Sequence, residues 1–530
     1  MNYPVWDLSI GAGLLIAIVA ILHVFVSHFA VGTGLFLVVT ERKARRDNDQ
    51  ALLGWVRKHT KFFVLVSVVF GAISGVGIWF TIGLISPQAT SNLIHIYVWG
   101  WAIEWVFFFL EITAGLLYLY GWDKLEPKLH MWFGWVYFWN AWLSLVIING
   151  IITFMLTSGN WGKDQQFWSG FFNPTYFPSL LFRTAIALAL AGIYALITAS
   201  VLKDSLLKAR IVRWASAWTI PALVLLPALA WWYIKHIPAD VWANAHGPMP
   251  TATTYAGDAV ILIATALLLA LIAVLMPRRM NLAFSLLLLV VALGAMGSFE
   301  MVRESLRKPY VISNYLYANS LYSTTLPGDG GFSEDEVTGA GALQSAHWVA
   351  NHQIDPANQI ASGHEIFRVE CQSCHTPSAY RGLRSLIAQR QWDEPKVEAM
   401  LGGLNFMHNG IMPAFAGSDA ERTALAKYLS SLEPISTEAT NASTDGATVF
   451  ARNCSMCHQV TAADPLFTNL VRDPAAAADA LQSLPALFPL MPDLKLTAQQ
   501  RAAVVDWINA QRSQGGPAFA AQQANPQGAK

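Results

Sequence analysis

The chain has 530 residues, of which 54% are hydrophobic and only 13% charged, and its 34 basic residues are balanced by 34 acidic ones. This length allows two or three domains. Zero net charge excludes a nucleic-acid partner, because no basic excess is available to replace phosphate counterions.

The apolar excess is concentrated in residues 8–303, while residues 311–530 have the composition of a soluble segment. A run of about 20 apolar residues crosses the ~30 Å hydrocarbon core of a bilayer. Eight such runs occur, near 8–40, 61–86, 93–121, 131–157, 176–202, 213–234, 257–276 and 282–303. Residues 1–7 lack the basic region and cleavage site of a signal peptide, so the first run is expected to stay in the membrane and to double as the export signal.

The loops after the first, third, fifth and seventh helices hold fifteen Lys and Arg residues, from Arg42 to Arg279, and the alternate loops hold only Lys163 and Lys235. Basic loops stay in the cytoplasm. Both termini are therefore expected on the outer, periplasm-like side of the membrane.

Ionisable residues inside apolar helices are costly and mark functional sites. The first helix carries His23 and His28, and the third carries Glu104 and Glu111, whose spacing of seven puts both on one face. Arg183 lies a few residues inside the fifth helix, where it can snorkel to the outer interface or pair with a haem propionate. Glu300, Arg303, Glu304 and Arg307 share a face at the end of the eighth helix. Imidazole and carboxylate converging in an apolar bundle form a haem or proton-handling site. His95, His130, His236 and His246 lie at helix ends or in loops and are expected to be solvated or interfacial.

Residues 1–310 thus read as a membrane domain, and residues 311–360, without sustained periodicity, as a linker. An internal repeat follows, in domains 361–433 and 434–512, with a disordered tail over 513–530. All four cysteines fall in two CxxCH motifs, Cys371–His375 and Cys454–His458. Cys371 with Cys374, and Cys454 with Cys457, can each form two thioethers to one haem, leaving His375 and His458 as axial iron ligands. A pair of zinc half-sites would need further Cys or His at ligand spacing, and none follows the second motif.

Each repeat runs from a short helix (362–370; 445–453) through CxxCH to a Met-Pro pair and a closing helix (419–432; 497–511), with Ser418 and Thr497 as expected caps. Met412 follows His375 by 37 residues and Met491 follows His458 by 33, which makes them the expected second axial ligands, with Met407 and His408 as competitors in the first repeat. His/Met ligation gives low-spin, high-potential iron suited to electron transfer. These segments resemble class I cytochrome c domains.

In the membrane half, Leu22-His23-Val24 running to Gly32, Ala102-Ile103-Glu104 with Phe109-Leu110-Glu111, and Gly121-Trp122-Asp123-Lys124-Leu125 with His130-Met131 resemble subunit I of cytochrome bd-type oxygen reductases. Phe182-Arg183-Thr184 and Arg307-Lys308-Pro309-Tyr310 extend the resemblance. It implies a mostly α fold: an eight-helix transmembrane bundle followed by two all-α cytochrome c domains. It also implies a high-spin di-haem site, haem b with haem d or a second haem b. There His23 and Glu104 resemble the ligand positions of one haem and Glu304 that of the other. Glu111 resembles a proton-transfer carboxylate, and Arg307 a propionate partner.

The departures are equally informative. Arg183 stands where the family has a histidine ligand of its low-spin haem b, and a guanidinium cannot coordinate iron. The opposite methionine has no counterpart in 257–276, the quinol-binding loop is reduced to about 235–256, the ninth helix is absent, and Glu104 and Glu111 stand one residue closer than usual. The chain therefore resembles a cytochrome c-fused branch of the bd superfamily without a quinol site. The resemblance implies electrons from a periplasmic donor passing through two haems c to a site that reduces O2 to water, beside a bd subunit II-like membrane protein. Two alternatives stand: a reductase of nitric oxide or peroxide, and an electron conduit without a terminal site. His28 is a further candidate ligand.

Overall fold

Backbone amides find no water in a bilayer core, so a lipid-embedded chain must satisfy them within helices. The structure, a computed structural model, follows this rule with eight helices long and apolar enough to cross a membrane. It describes residues 6–246, 251–323, 333–346, 349–390, 392–404, 412–433, 443–455, 458, 474–483, 494 and 496–513. By their contacts the residues fall into two units, Leu15–Ser320 and Met1–Leu14 with Leu321–Lys530.

The spans are α1 (Ala12–Arg46), α2 (Gln50–Ile85), α3 (Val98–Tyr120), α4 (Pro127–Leu156), α5 (Tyr176–Ser200), α6 (Ser205–Lys235), α7 (Thr251–Leu275) and α8 (Leu282–Arg307). Several begin or end one to three turns beyond the apolar runs, because polar residues continue a helix that hydropathy cannot follow. Side chains cap three starts: Asp49 accepts from the amide of Leu52, Asp204 from Leu206 and Leu207, and Asn281 from Phe284. Residues Leu65–Phe70 of α2 form a π-helical stretch.

Helix α5 is the hub, with nineteen of its 25 residues buried. Small residues make this possible by letting backbones approach closely. A Cβ at Gly192 would collide with the Ala215 carbonyl and Thr219 hydroxyl of α6, and one at Gly32 of α1 with the backbone of Ala187. Outer helices instead present apolar side chains outward, with Trp99, Val76 and Ile73 all about 70% exposed.

The chain leaving α8 stays with this unit. A two-stranded antiparallel hairpin, β1 (Tyr310–Ile312) and β2 (Leu316–Tyr317), follows at once. Asn244 donates to the carbonyls of Leu306 and Lys308, and the Ser313 amide donates to Met155. Further on, Ser333 closes a capping box over Glu334–Ala340, and Leu343 joins the core of the first soluble domain. The expected linker 311–360 is therefore folded wherever it is described. Its order rests on short local pieces, the hairpin and the capping box, together with contacts to distant residues, and none of these gives a sustained period in the sequence.

The soluble unit carries the repeat. In the first copy, α9 (Gln359–Glu370) crosses the closing helix α12 (Asp419–Ser431), with α10 (Leu383–Arg390) and α11 (Glu394–Gly402) between them. In the second, α13 (Gly446–Asn453) crosses α15 (Ala498–Ser513), with α14 (Pro474–Gln482) between them. Each crossing is built on a glycine. A Cβ at Gly363 would strike Ala424 and Tyr428, and one at Gly446 would strike Ala503 and Trp507. Four residues on, Phe367 and Phe450 pack on the same aromatic partners, with ring centroids 5.7 and 4.7 Å apart.

Both expected caps are in place, as Ser418 Oγ accepts from the Glu421 amide and Thr497 Oγ1 from the Gln500 amide. Residues 513–530, expected as a disordered tail, lie outside the described residues except for Ser513.

Substituting Gly192→Ala is expected to cost about 1–3 kcal/mol by overpacking the α5–α6 contact. Gly54→Ala, whose added methyl meets no atom within 4 Å, should leave stability unchanged or slightly higher. Thermal unfolding of both variants in detergent checks the contrast.

Candidate functional site

Residues seven apart return to nearly the same helix face. On the antiparallel pair α3 and α4, heptad steps run in opposite directions and produce a polar ladder. Ser144 Oγ donates to Glu104 Oε1 at 2.9 Å, and Tyr137 OH donates to Glu111 Oε1 at 2.9 Å. Seven residues further, His130 Nε2 meets the Tyr118 carbonyl at 2.8 Å. Glu104 and Glu111 therefore share a face, as their spacing predicts. Ile103 and Trp142, near Glu104 and Ser144 in sequence, line an apolar cleft of about 580 Å³.

The last rung ends on a residue that the sequence did not single out. Glu41 of α1 is fully buried and receives three donors: His130 Nδ1 at 2.9 Å, Tyr118 OH at 2.6 Å and Arg45 Nε at 2.7 Å. The two nitrogens of His130 face the Glu41 carboxylate and the Tyr118 carbonyl. His130 is 0% exposed, which corrects the expectation of a solvated or interfacial position. A histidine at a helix start reads as interfacial until a buried carboxylate from another helix claims it.

His23 lies where α1 meets α2. Ser74 Oγ donates to the Phe70 carbonyl at 2.7 Å and lies 3.1 Å from His23 Nδ1. Its oxygen therefore accepts from His23, which places the ring proton on Nδ1 and leaves Nε2 as a lone pair for a metal. Gly75 makes room, since a Cβ there would stand 3.2 Å from the imidazole. Among the described residues no hydrogen bond joins His23 to Glu104. His28 Nδ1 donates to the Val24 carbonyl at 2.9 Å, and its Nε2 is buried without a hydrogen-bond partner. His59, another buried residue not singled out, stacks on Trp55 and bonds Thr198 at 2.9 Å.

Arg183 does not snorkel. It is 1% exposed and pairs with Glu300 of α8 at 2.8 Å, so its guanidinium turns into the bundle. Arg303 also binds Glu300, at 3.0 Å, and lies 3.8 Å from Glu304. Glu304 in turn pairs with Arg307 and with Lys308. Four cations thus share two carboxylates. Arg183 Nε and Nη2, Arg303 Nη1 and Arg307 Nε are buried with no hydrogen-bond partner. Buried charge left unpaired costs several kcal/mol, so this cluster has room for two more negative charges.

In the soluble unit both CxxCH motifs close a helix in the same way. The amides of Cys371 and Gln372 donate to the Phe367 carbonyl, and those of Cys454 and Ser455 to the Phe450 carbonyl. His375 and His458 donate to the carbonyls of Cys371 and Cys454, each at 2.9 Å. One helical turn therefore separates Cys371 from Cys374 and His375. His375 Nδ1 faces the Arg381 carbonyl at 3.4 Å. Met412 is half-buried. Cys457, Met491 and the competitors Met407 and His408 lie outside the described residues.

Residues 12–236 match the family model for cytochrome bd terminal oxidase subunit I. The membrane bundle is similar to that subunit. Residues 358–429 and 441–508 match the model for cytochrome c oxidase, cbb3-type, subunit III. Among solved structures, the bd oxidase from Geobacillus thermodenitrificans matches with a TM-score of 0.50 and 16% identity, over 57% of this chain and 89% of that chain. At this identity the likeness concerns the fold. No curated protein matches the chain. The chain is thus a multi-pass helical membrane protein that combines a bd-oxidase-like bundle with cytochrome c domains.

Both families bind haem, and the residues present fit it. Counting Arg183, Arg303, Arg307 and Lys308 against Glu300 and Glu304, the surplus of two positive charges equals the charge of two propionates. The uncommitted guanidinium N–H groups are the donors that carboxylates take. The first CxxCH turn likewise puts two thiols and an imidazole within one turn.

Glu41→Ala is expected to cost about 3–5 kcal/mol, since it leaves His130 and Arg45 without their buried anion. Exposed Asp123→Ala should cost about 1 kcal/mol or less, because its ion pair with Arg57 lies at the surface. Comparing denaturation midpoints of the two variants is the check.

Proposed function

We propose that the protein is a terminal oxidoreductase that takes electrons from a periplasmic donor through two haems c and reduces O2 to water at a high-spin haem pair in the bundle. The observation that carries this reading is the Arg183–Glu300–Arg303–Glu304–Arg307–Lys308 cluster, four cations on two carboxylates, with Arg183, Glu300 and Arg307 buried at its core. A bundle that only passed through lipid would have no reason to bury it.

Bound haem supplies the electron carriers and the iron at which O2 is reduced. His23 through Nε2 and Glu104 through its carboxylate would hold one membrane haem, and Glu304 would hold the other. Ser144 holds Glu104 in one orientation, as outer-shell partners do. Arg183, Arg303 and Arg307 hold the propionates. The high-spin pair is haem b with haem d or a second haem b.

Reduction of O2 to two waters consumes four protons. Glu111 is placed to hold one, with Tyr137 OH fixing its carboxyl. The heptad ladder continues from Glu111 to Tyr118, His130 and Glu41, toward the side that the loop charges assign to the cytoplasm. Arg183 in place of a ligating histidine, together with the short 235–256 segment, removes the quinol route, which leaves the cytochrome c domains as the electron entrance. In those domains Cys371 and Cys374, and Cys454 and Cys457, bind haem. His375 with Met412, and His458 with Met491, ligate the two irons. A bd subunit II-like protein is the proposed cover for the exposed aromatic faces of α2 and α3.

Pyridine haemochrome spectra of the purified protein are expected to show haem c together with non-covalent haem, and CO is expected to shift the Soret band of the reduced protein. Porphyrin confined to the soluble domains, or a reduced spectrum indifferent to CO, would overturn the proposal. Oxygen uptake with a reduced one-electron donor then separates O2 from other acceptors. Replacing Cys371 and Cys374 together by Ser should halve the covalent haem seen by in-gel staining while the bundle haem remains.

A further inference from the structure

At the ends of the helices assigned to the cytoplasmic side, the start of α2, the start of α6 and the α7–α8 turn enclose a cleft of about 840 Å³. Four arginines line it: Arg210, Arg213, Arg278 and Arg279. Its two acids are already engaged. Asp49 caps α2 and pairs with Arg210 at 2.6 Å, and Asp204 caps α6 through the amides of Leu206 and Leu207. Arg213, Arg278 and Arg279 are exposed and form no ion pair among the described residues. Three like charges share one cleft and give it a positive potential that favours an anion.

The same cleft carries apolar side chains that a soluble anion has no use for. Leu206 is 63% exposed, Leu275 79% and Met276 43%, and all three line it beside the arginines. Lys208 bonds the Met280 carbonyl at 3.3 Å, which ties the α6 start to the α8 start and fixes the walls. Arginine forks match phosphate oxygens in pairs, and leucines at the bilayer edge match acyl chains.

We propose that this cleft binds the phosphate headgroup of an anionic phospholipid, with Arg213, Arg278 and Arg279 on the phosphate and Leu206, Leu275 and Met276 against the chains. The site is separate from the haem cluster and does not depend on what the protein reduces. A basic pocket between transmembrane helices is the setting in which such headgroups bind.

The full chain, purified in neutral detergent, is titrated with phosphatidylglycerol, diphosphatidylglycerol or phosphatidylcholine, and bound lipid per protein is read by native mass spectrometry. Saturable retention of the two anionic lipids is expected, with phosphatidylcholine failing to compete. Arg278→Gln with Arg279→Gln should weaken retention at least about tenfold, near the loss of two surface-lipid charges. Arg213→Gln should weaken it by a smaller factor. Lys124→Gln with Lys128→Gln, in another basic loop, should leave it unchanged, and circular dichroism should show all variants folded. Wild-type retention by the arginine variants, an equal loss in the Lys124/Lys128 variant, or displacement of the lipid by millimolar inorganic phosphate would overturn the proposal.

Discussion

A guanidinium keeps its proton at any physiological pH, so Arg183, buried on the helix at the centre of the bundle, must be matched by negative charge. Glu300 answers it across the α5–α8 contact, where the tilted rings of Phe182 and Phe299 also meet with centroids 4.5 Å apart. The geometry of the candidate haem site follows from that pairing. It fixes the rotation of α8, which sets the positions of Arg303, Glu304 and Arg307 one and two turns further along. The small residues of α5 let its neighbours close in, so Arg183 and Glu300 are largely shielded from water, which strengthens their pairing. Lysine at position 183 would keep the charge but lose the planar fork that reaches two partners at once.

Much of this architecture is legible in the sequence because its causes are local. Apolar run length predicts all eight spans, and spacing alone puts Glu104 with Glu111 and Glu300 with Arg303, Glu304 and Arg307. The CxxCH repeats and the Ser418 and Thr497 caps are visible for the same reason. What could not be read depends on partners far along the chain. Glu41 sits inside a Glu-Arg-Lys-Ala-Arg-Arg stretch and looks like one more solvated charge. Only the fold brings Tyr118 and His130 to it. The heptad step that exposed the two glutamates also reaches Tyr118, so the third rung had a signal, but its tyrosine was not a charge. Arg183 looks snorkelling-competent until Glu300 arrives. Segment 333–346 has no period because Glu421, across the first soluble domain, holds it by the amides of Ala342 and Leu343.

The two halves of the molecule solve a related problem by different means. In the bundle, polar groups are buried and must be paired within the protein. In the soluble repeats, a glycine at each helix crossing brings Phe367 or Phe450 and the following CxxCH turn into place. The third residue of each closing helix then reaches back to an upstream segment, Glu421 to Ala342 and Leu343, and Gln500 to the Ser443 carbonyl. Repetition at this level of detail, in copies whose surface residues differ widely, shows that the scaffold around the haem-attachment turn is what the sequence preserves between them.

Arg390, at the end of α10 in the first repeat, donates to the Ala451 carbonyl at 3.2 Å and to the Ser455 hydroxyl. Ser455 lies between the two cysteines of the second motif, so one guanidinium fastens the first repeat to the loop that would cradle the second porphyrin. Electron tunnelling decays exponentially with the gap between donor and acceptor. A hinge at this junction would make the hop between porphyrins fluctuate with every thermal swing. Arg390 ties the two motif-bearing segments together at this point, which limits how far they can swing apart.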